Sequence, residues 1–378
     1  MELLTYINSH SDWRNLLAAN PYNLDITDDG DYYILKYNQI ESDFSYPLVR
    51  EARGCIVRFD VAANKWICVC HPFDKFFNYG ERYSAVSYID WENAVVQEKI
   101  DGSLIKIWYD QDEWHISTNG TIDAYKAECG DLNFGVLVEK AIAKLPNFWS
   151  ALDPNYTYMF ELTSPFNHIV IRYEETTIWF LGRRNNTTDE EDNEIPEIPN
   201  LRRPRVFPHH SLADCVEAAH QMGKDEEGYV VVDEFYNRIK VKGDEYLRLH
   251  KIRGNGPLTV VRVLEMWQED SLDDFIAYYP EFKSYVDNVM RNVNHIIQVS
   301  EIAYNVVSSN ADIKDRRDYA VFARSYMPPI MAYLFARLDN KTTSAKEFFR
   351  NMRPRSLAPH VIFKMNVHAD EGEREDYE

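Results

Sequence analysis

The sequence predicts an α+β fold, with a mixed, mainly antiparallel-sheet domain followed by an all-α C-terminal domain. Three observations carry this. Short runs rich in β-branched and aromatic residues, bounded by turn residues, recur from about Tyr32 to Lys242. Apolar residues then recur at helical spacing from Leu258 to about Asn351. Between the two lies Arg253-Gly254-Asn255-Gly256-Pro257, a stretch of linker composition. The expected boundaries are 1–253 and 254–368, with an acidic tail over 369–378; a length of 378 residues suits two domains.

Taken in order, 32–37, 54–59 and 66–70 read as strands. Residues 104–109 and 114–117, on either side of Asp110-Gln111-Asp112-Glu113, read as a hairpin. Further strands are expected at 169–171, 177–181, 228–232 and 238–241. Helices are expected at 134–144 and 212–222, and 185–204 is polar, acidic and proline-bearing, a surface loop. In the C-terminal part Val260, Val261, Leu264 and Trp267, and then Val286, Val289, Met290, Val293 and Ile297, mark helix faces whose apolar residues read as core.

The formal net charge of -20 argues against a protein that coats nucleic acid nonspecifically, though it leaves room for one local basic groove. The acidic runs 189–197 and 370–378 read as a solvated loop and a frayed tail. The first residues, Met1-Glu2-Leu3-Leu4-Thr5, lack a basic segment, so no signal peptide is expected. No apolar run approaches the span of a bilayer. Five cysteines without C-x-x-C spacing read as reduced thiols of a cytosolic protein.

Chemistry concentrates at Glu98-Lys99-Ile100-Asp101-Gly102-Ser103-Leu104. Lys-x-Asp-Gly arises by chance in roughly one chain in ten of this size and can be a turn with an exposed lysine. It can equally present a nucleophile, because a lysine amine held unprotonated by burial or neighbouring cations attacks phosphorus. Such chemistry needs cations for the phosphates and carboxylates for a metal. Arg238-Ile239-Lys240-Val241-Lys242 alternates strictly, so a strand would put its three cations on one face; an edge strand guarded by lysines is the other reading. Glu161 after Tyr158-Met159-Phe160, and Glu227 before Gly228-Tyr229-Val230, are carboxylates in apolar surroundings. Upstream, Arg53-Gly54 and Lys75-Phe76-Phe77-Asn78 offer two more cations, and Tyr37 could stack on a base or merely pack.

In this order the segments resemble the covalent nucleotidyltransferase superfamily of ligases and capping enzymes, and within it the phage-type RNA ligase 1 family. The Lys75-Phe76-Phe77-Asn78 segment and the spacing from Glu227-Gly228-Tyr229-Val230 to Lys240-Val241-Lys242 are the closest features. The resemblance covers roughly residues 32–250, and more loosely the helical region, which in that family bears on tRNA recognition. It implies an ATP-grasp-like ligase domain in which Lys99 is the adenylated nucleophile. ATP would be bound by Tyr37, Arg53, Lys75, Lys99, Gly102, Glu161, Glu227, Lys240 and Lys242. Glu161 and Tyr246 would join Lys99 in catalysis. Glu227, and Asp273 in Ser271-Leu272-Asp273-Asp274-Phe275, would contact Mg²⁺, or Mn²⁺ in its place; Asp273 could equally be a helix-start cap. The implied reaction joins RNA 5′-phosphate and 3′-hydroxyl ends, single-stranded or in a cleaved tRNA, through lysyl-AMP and RNA-adenylate, in the host cytosol, by a monomer that needs no membrane. One departure stands out: where the family carries a lysine after the hairpin, this chain has Ser117-Thr118-Asn119-Gly120. Two other readings stand beside this one. A DNA ligase or capping guanylyltransferase would typically end in a β-barrel domain rather than helices. A non-catalytic nucleotide- and RNA-binding repair subunit would not need the intact Lys99-x-Asp101-Gly102.

Overall fold

The computed structural model describes residues 1–167, 169–253, 258–313 and 315–361. The expected linker glycines and the acidic tail lie outside the described residues. The chain divides into two compact units, Met1–Arg248 and Leu249–Glu378.

The first unit is built on three sheets. Strands Leu24–Asp29, Tyr32–Tyr37, Arg53–Asp60 and Lys65–Cys70 form a four-stranded antiparallel meander. Helices Glu2–Ser9 and Trp13–Ala18, which sequence periodicity left unmarked because each is so short, contribute Leu3, Ile7, Trp13 and Leu17 to the core shared with this sheet. A second sheet has the order Glu191–Asp192, Thr177–Asn185, Tyr156–Thr163, Ser103–Asp110 and Glu113–Thr118. A third has the order Val206–Phe207, Val95–Glu98, Gly228–Val232, Arg238–Lys242 and Phe77–Asn78, with only the last pair parallel.

The crossover between the second and third sheets fixes the site. Val95–Glu98 ends in the third sheet and Ser103–Asp110 begins in the second. The four residues between them, Lys99 to Gly102, therefore sit where the two sheets part. Gly102 is required there, because a Cβ would come within 2.3 Å of the Leu162 carbonyl oxygen. Gly228 is required likewise: its φ is +143° and a Cβ would meet the Val241 carbonyl oxygen at 2.1 Å.

Two expectations need correction. Residues 169–171 are not a strand but a bend. The backbone N–H groups of Val170 and Ile171 donate to the Asp101 carboxylate, at 2.8 and 2.7 Å, rather than to a strand. The acidic 189–197 segment is only in part a solvated loop: Glu190, Glu194 and Glu197 are exposed, but other acids are paired. Arg184 pairs with Asp74 at 2.9 Å and with Glu191, and Arg238 reaches the same Glu191 at 2.7 Å. Arg183 pairs with Asp192 at 2.6 Å and with Glu194. Asp189 accepts from His71 Nδ1 at 2.6 Å. Glu191 is thus an internal counter-ion to arginines of the second and third sheets, while Asp189, Asp192 and Glu194 pair from partly or largely exposed positions.

The second unit is helical: Val260–Gln268, Leu272–Tyr278, Lys283–Ser309, Arg316–Ala323, Pro328–Leu338 and Ala345–Arg350. The marked apolar positions do form its core, with Leu264, Val289 and Val293 fully buried beside Tyr333 and Phe349. Thr259 and Ser344 cap two of these helices through their hydroxyls.

Removing Arg184 would leave Asp74 with only His71 and Glu191 with only Arg238. Arg184→Met is expected to lose about 3 kcal/mol of stability. Urea unfolding followed by tryptophan fluorescence measures it; an unchanged midpoint would make the network dispensable.

Candidate active site

Lys99 is the centre of the arrangement. Its backbone N–H donates to the Gly228 carbonyl oxygen at 2.8 Å, which locks it to the third sheet. Its Nζ stands 2.8 Å from Glu227 Oε2, and Lys242 Nζ stands 3.1 Å from Glu227 Oε1. Glu227 is 3% exposed, so burial without these two cations would be costly. Burial works to lower the Lys99 amine, but Glu227 and Glu161 outweigh it and hold it above its ordinary value. This corrects the expectation of an unprotonated amine, because the two carboxylates favour the ammonium.

Asp101 does not face substrate space. It is buried, its Oδ2 accepts from Val170 and Ile171, and its Oδ1 accepts from the Tyr246 hydroxyl at 2.8 Å. Tyr246 is thereby joined to the Lys99–Gly102 turn. Burial, with Glu227 and Asp101 nearby, pushes its phenol far up, so it is a hydrogen-bond donor throughout the physiological range.

Strand alternation behaves as the sequence demands. Ile239 and Val241 are buried in the core beneath the third sheet, while Arg238 and Lys240 line a cavity of about 230 Å³. Lys242 lies on the same face and pairs with Glu227. The strand is no guarded edge, since Phe77–Asn78 pairs beyond it. Arg53, Lys99, Gly102 and Glu161 line the same cavity, with Asn119. Burial pushes the Glu161 carboxyl up to about 7, with Lys99 opposing and Glu227 adding. Burial, then Arg53, Lys99 and Lys75, push the Lys240 amine down to about 6. No carboxylate pairs with Lys240 among the described residues. Arg53 Nη1 and Asn119 Oδ1 are buried with no hydrogen-bond partner. The partnerless Arg53 donor and the crowded cations are what a polyanion entering the cavity would satisfy, whereas the Asn119 oxygen calls for a donor.

Other expected residues stand apart from that cavity. Lys75 Nζ lies 5.0 Å from the Tyr37 ring centre and 5.4 Å from that of Phe77, and donates to Gln39 at 3.2 Å. Tyr37 lines an adjoining recess of about 210 Å³ that shares Arg53 and Asn119 with the main cavity. Asp273 is exposed in the first turn of Leu272–Tyr278, in the second unit; Ser271 holds the cap position. Among the described residues no three ligating side chains converge to hold a metal. Asn119 fills the place where a lysine was expected. Lys106, opposite Ser117 in the hairpin, does not supply that cation, because it is fully buried and donates to the Gly54 carbonyl oxygen.

Sequence reasoning passed over three residues as site members. Asp101 was seen only as a turn residue. Arg238, stacked 4.1 Å over Phe73 and tied to Glu191, was seen only as part of the alternation. Asn119 was seen as a gap. The first two carried a signal, since an acid and an arginine in strand-dense sequence need buried partners.

Comparison with known proteins bears on this site. Residues 51–246 match a family described as RNA ligase, the phage-type RNA ligase 1 family. The chain belongs to that family. It is 35% identical to a protein of Autographa californica nuclear polyhedrosis virus described as a bifunctional polynucleotide kinase/RNA ligase, over 73% of this chain and 42% of that one. The chain thus spans less than half the length of that relative. It is 28% identical to an RNA ligase of Rhodothermus phage RM378, over 82% of this chain and 85% of that one. Among solved structures it resembles an archaeal ATP-dependent RNA ligase with a TM-score of 0.45 and 13% identity, over 89% of this chain and 98% of the other, a likeness too loose to carry function. The matched span of this RNA ligase family member holds every expected site residue except Tyr37 and Asp273.

The cation crowding is testable without turnover. Lys240, with its depressed folded value, is protonated in both states below pH 6, where its folded-state penalty is full; the penalty fades as pH rises toward 10.5. Lys240→Met is therefore expected to raise the melting temperature by about 2–4 °C, for a relief of about 1 kcal/mol, most at acid pH. In the wild type, metal-free binding of a non-cleavable ATP analogue should take up a proton at pH 7.5 but not at pH 5.5. Calorimetry in buffers of different ionisation enthalpy reads this, and a buffer-independent enthalpy at both pH values would refute the assignment.

Proposed function

We propose that this chain is an ATP-dependent RNA ligase that forms a covalent lysyl-AMP on Lys99 and joins RNA 5′-phosphate to 3′-hydroxyl ends. The observation that carries the reading is the Lys99 amine, held against Glu227 beside a small cation-lined cavity, in the matched span of the family.

The steps follow from the residues. Before attack the Lys99 ammonium gives up its proton to solvent, with Glu227 beside it to orient the amine. The freed amine attacks the α-phosphorus, a phosphoramidate bond forms, and pyrophosphate leaves. Arg53 and Lys240 meet the charge that builds on the phosphates, and Lys242 stabilises Glu227. AMP then passes to an RNA 5′-phosphate, and a 3′-hydroxyl displaces AMP to seal the strand. Glu161 and Glu227 are the carboxylates fitted to a divalent cation, most simply Mg²⁺, which would neutralise phosphate charge. With so few carboxylates, the cation would take its remaining ligands from water and the phosphates. Tyr246 and Asp101 position the lysine turn. Tyr37 and Lys75 would act at the outer part of the nucleotide. All five cysteines are free and buried, in keeping with work in a host cytosol. Among the described residues no helix is long and apolar enough to cross a membrane.

Lys99→Ala should form no labelled protein with [α-³²P]ATP yet still seal pre-adenylated RNA at least in part, because the lysine is spent only on loading AMP. Label retained on the denatured variant would remove Lys99 from the role. The same assay with GTP separates this reading from a capping enzyme.

The helical unit carries no matched phosphate-binding segment, so its part is the choice of RNA, with a cleaved tRNA the substrate to try first. A truncation after residue 253, checked for a cooperative melt, is expected to keep self-adenylation and to change which RNA ends are joined. A folded truncation that cannot form the adenylate would bring the helical unit, Asp273 included, into the chemistry.

A further inference from the structure

A second recess, of about 280 Å³, lies behind the wall formed by Phe76 and Arg238, which also line the nucleotide cavity. Nothing in the reaction described above uses most of it. Its composition differs from that of the first cavity. Arg50 brings a cation that no carboxylate pairs among the described residues, and Lys75, set above at the outer part of the nucleotide, lines it as well. Arg50 donates to the Phe44 carbonyl oxygen at 3.3 Å, and Lys75 donates to Gln39. The two acids of the recess are already neutralised: Asp74 by Arg184, and Glu191 by Arg184 and Arg238. In a chain of net charge -20, a concavity with uncompensated positive charge is uncommon, and it suits a phosphodiester.

The rest of the lining is aromatic and polar. Tyr88 lines the recess and is 74% exposed, so its ring is open to a stacking partner. Tyr83 and Tyr236 add two more rings. Ser84 supplies a buried hydroxyl with no hydrogen-bond partner. The loop bearing Tyr236 is braced by Asp233, whose carboxylate accepts from the backbone N–H groups of Phe235 and Asn237 and from the Asn237 amide. The brace keeps Tyr236 at a φ of +61°, which a tyrosine rarely adopts. Cations that track a backbone, together with exposed rings on which bases stack, are the means by which single strands are held without regard to sequence.

We propose that this recess binds a nucleotide of the RNA strand being joined, with its base against Tyr88 and its phosphate at Arg50, next to the adenylation cavity. The inference rests on the ligase reading and assigns that reading's RNA a place. The shared wall makes the placement chemically sensible, because the RNA end must reach the phosphorus that Lys99 carries.

The test uses the full chain and a single-stranded RNA with a pre-adenylated 5′ end. Tyr88→Ala and Arg50→Gln should each raise the KM for RNA in the sealing step about tenfold, the loss of roughly one stacked base or one phosphate contact. Labelling by ATP should be unchanged, and Tyr88→Phe should restore the wild-type KM. Irradiation of RNA carrying a 4-thiouridine at the joined end should crosslink it to the 83–88 segment, a readout that needs no turnover. Unchanged RNA KM in both variants, with crosslinks elsewhere, overturns the proposal. Loss of ATP labelling with sealing intact also overturns it, and gives the recess to the outer phosphates of ATP. A wild-type chain that forms no adenylate, yet crosslinks at 83–88, would sink the ligase reading and leave the RNA site standing.

Discussion

The Asp101 carboxylate holds together what would otherwise be three separate segments. It lies two residues after Lys99, in the crossover from the third sheet to the second. One oxygen takes the backbone N–H groups of Val170 and Ile171, and the other takes the Tyr246 hydroxyl. A buried carboxylate with its hydrogen bonds filled is stable only in one orientation. The Lys99 backbone is fixed by the same geometry, through Gly228 on one side and the close approach of Gly102 to Leu162 on the other. The Lys99 amine thus hangs from a turn with little freedom, and its direction is set by the fold.

Around this fixed turn the site's own charges are in tension. Glu227 is satisfied by two lysines, yet Lys240 loses its proton near neutrality and Glu161 keeps one. Two buried polar atoms lack partners. The stable core beneath, Ile239 and Val241 with the packed helix Leu212–His220, carries that cost. A phosphate chain would relieve the crowding in one event, which is how a weakly populated charge state becomes a binding determinant.

Much of this was legible in the sequence, because the signals were local. The period of two in Arg238–Lys242 fixed which side chains share a face, and the helical periodicity after Leu258 marked the core of the second unit. The segments bearing Lys99, Glu161, Glu227 and Arg53 could be ordered along the chain and matched as a set. What could not be read depends on long-range pairing. Residues 169–171 have strand composition, but their donors are taken by an acid some 70 residues away. The 189–197 segment has the composition of a solvated loop, but its partners are arginines on other strands. Asn119 looked like a missing cation; only the fold shows that it lines the cavity and that Lys106 is committed elsewhere.

The internal pairing of that acidic segment changes what an approaching polyanion feels. Asp189, Glu191, Asp192 and Glu194 are matched at short range by Arg183, Arg184, Arg238 and His71, so their fields largely cancel beyond a few ångströms. The remaining excess of acid still repels RNA at long range, while attraction is confined to short-range basic recesses. Added salt screens the first more than the second. For such a molecule the encounter rate with RNA would rise with ionic strength before it falls, unlike that of a protein whose basic face draws nucleic acid from afar.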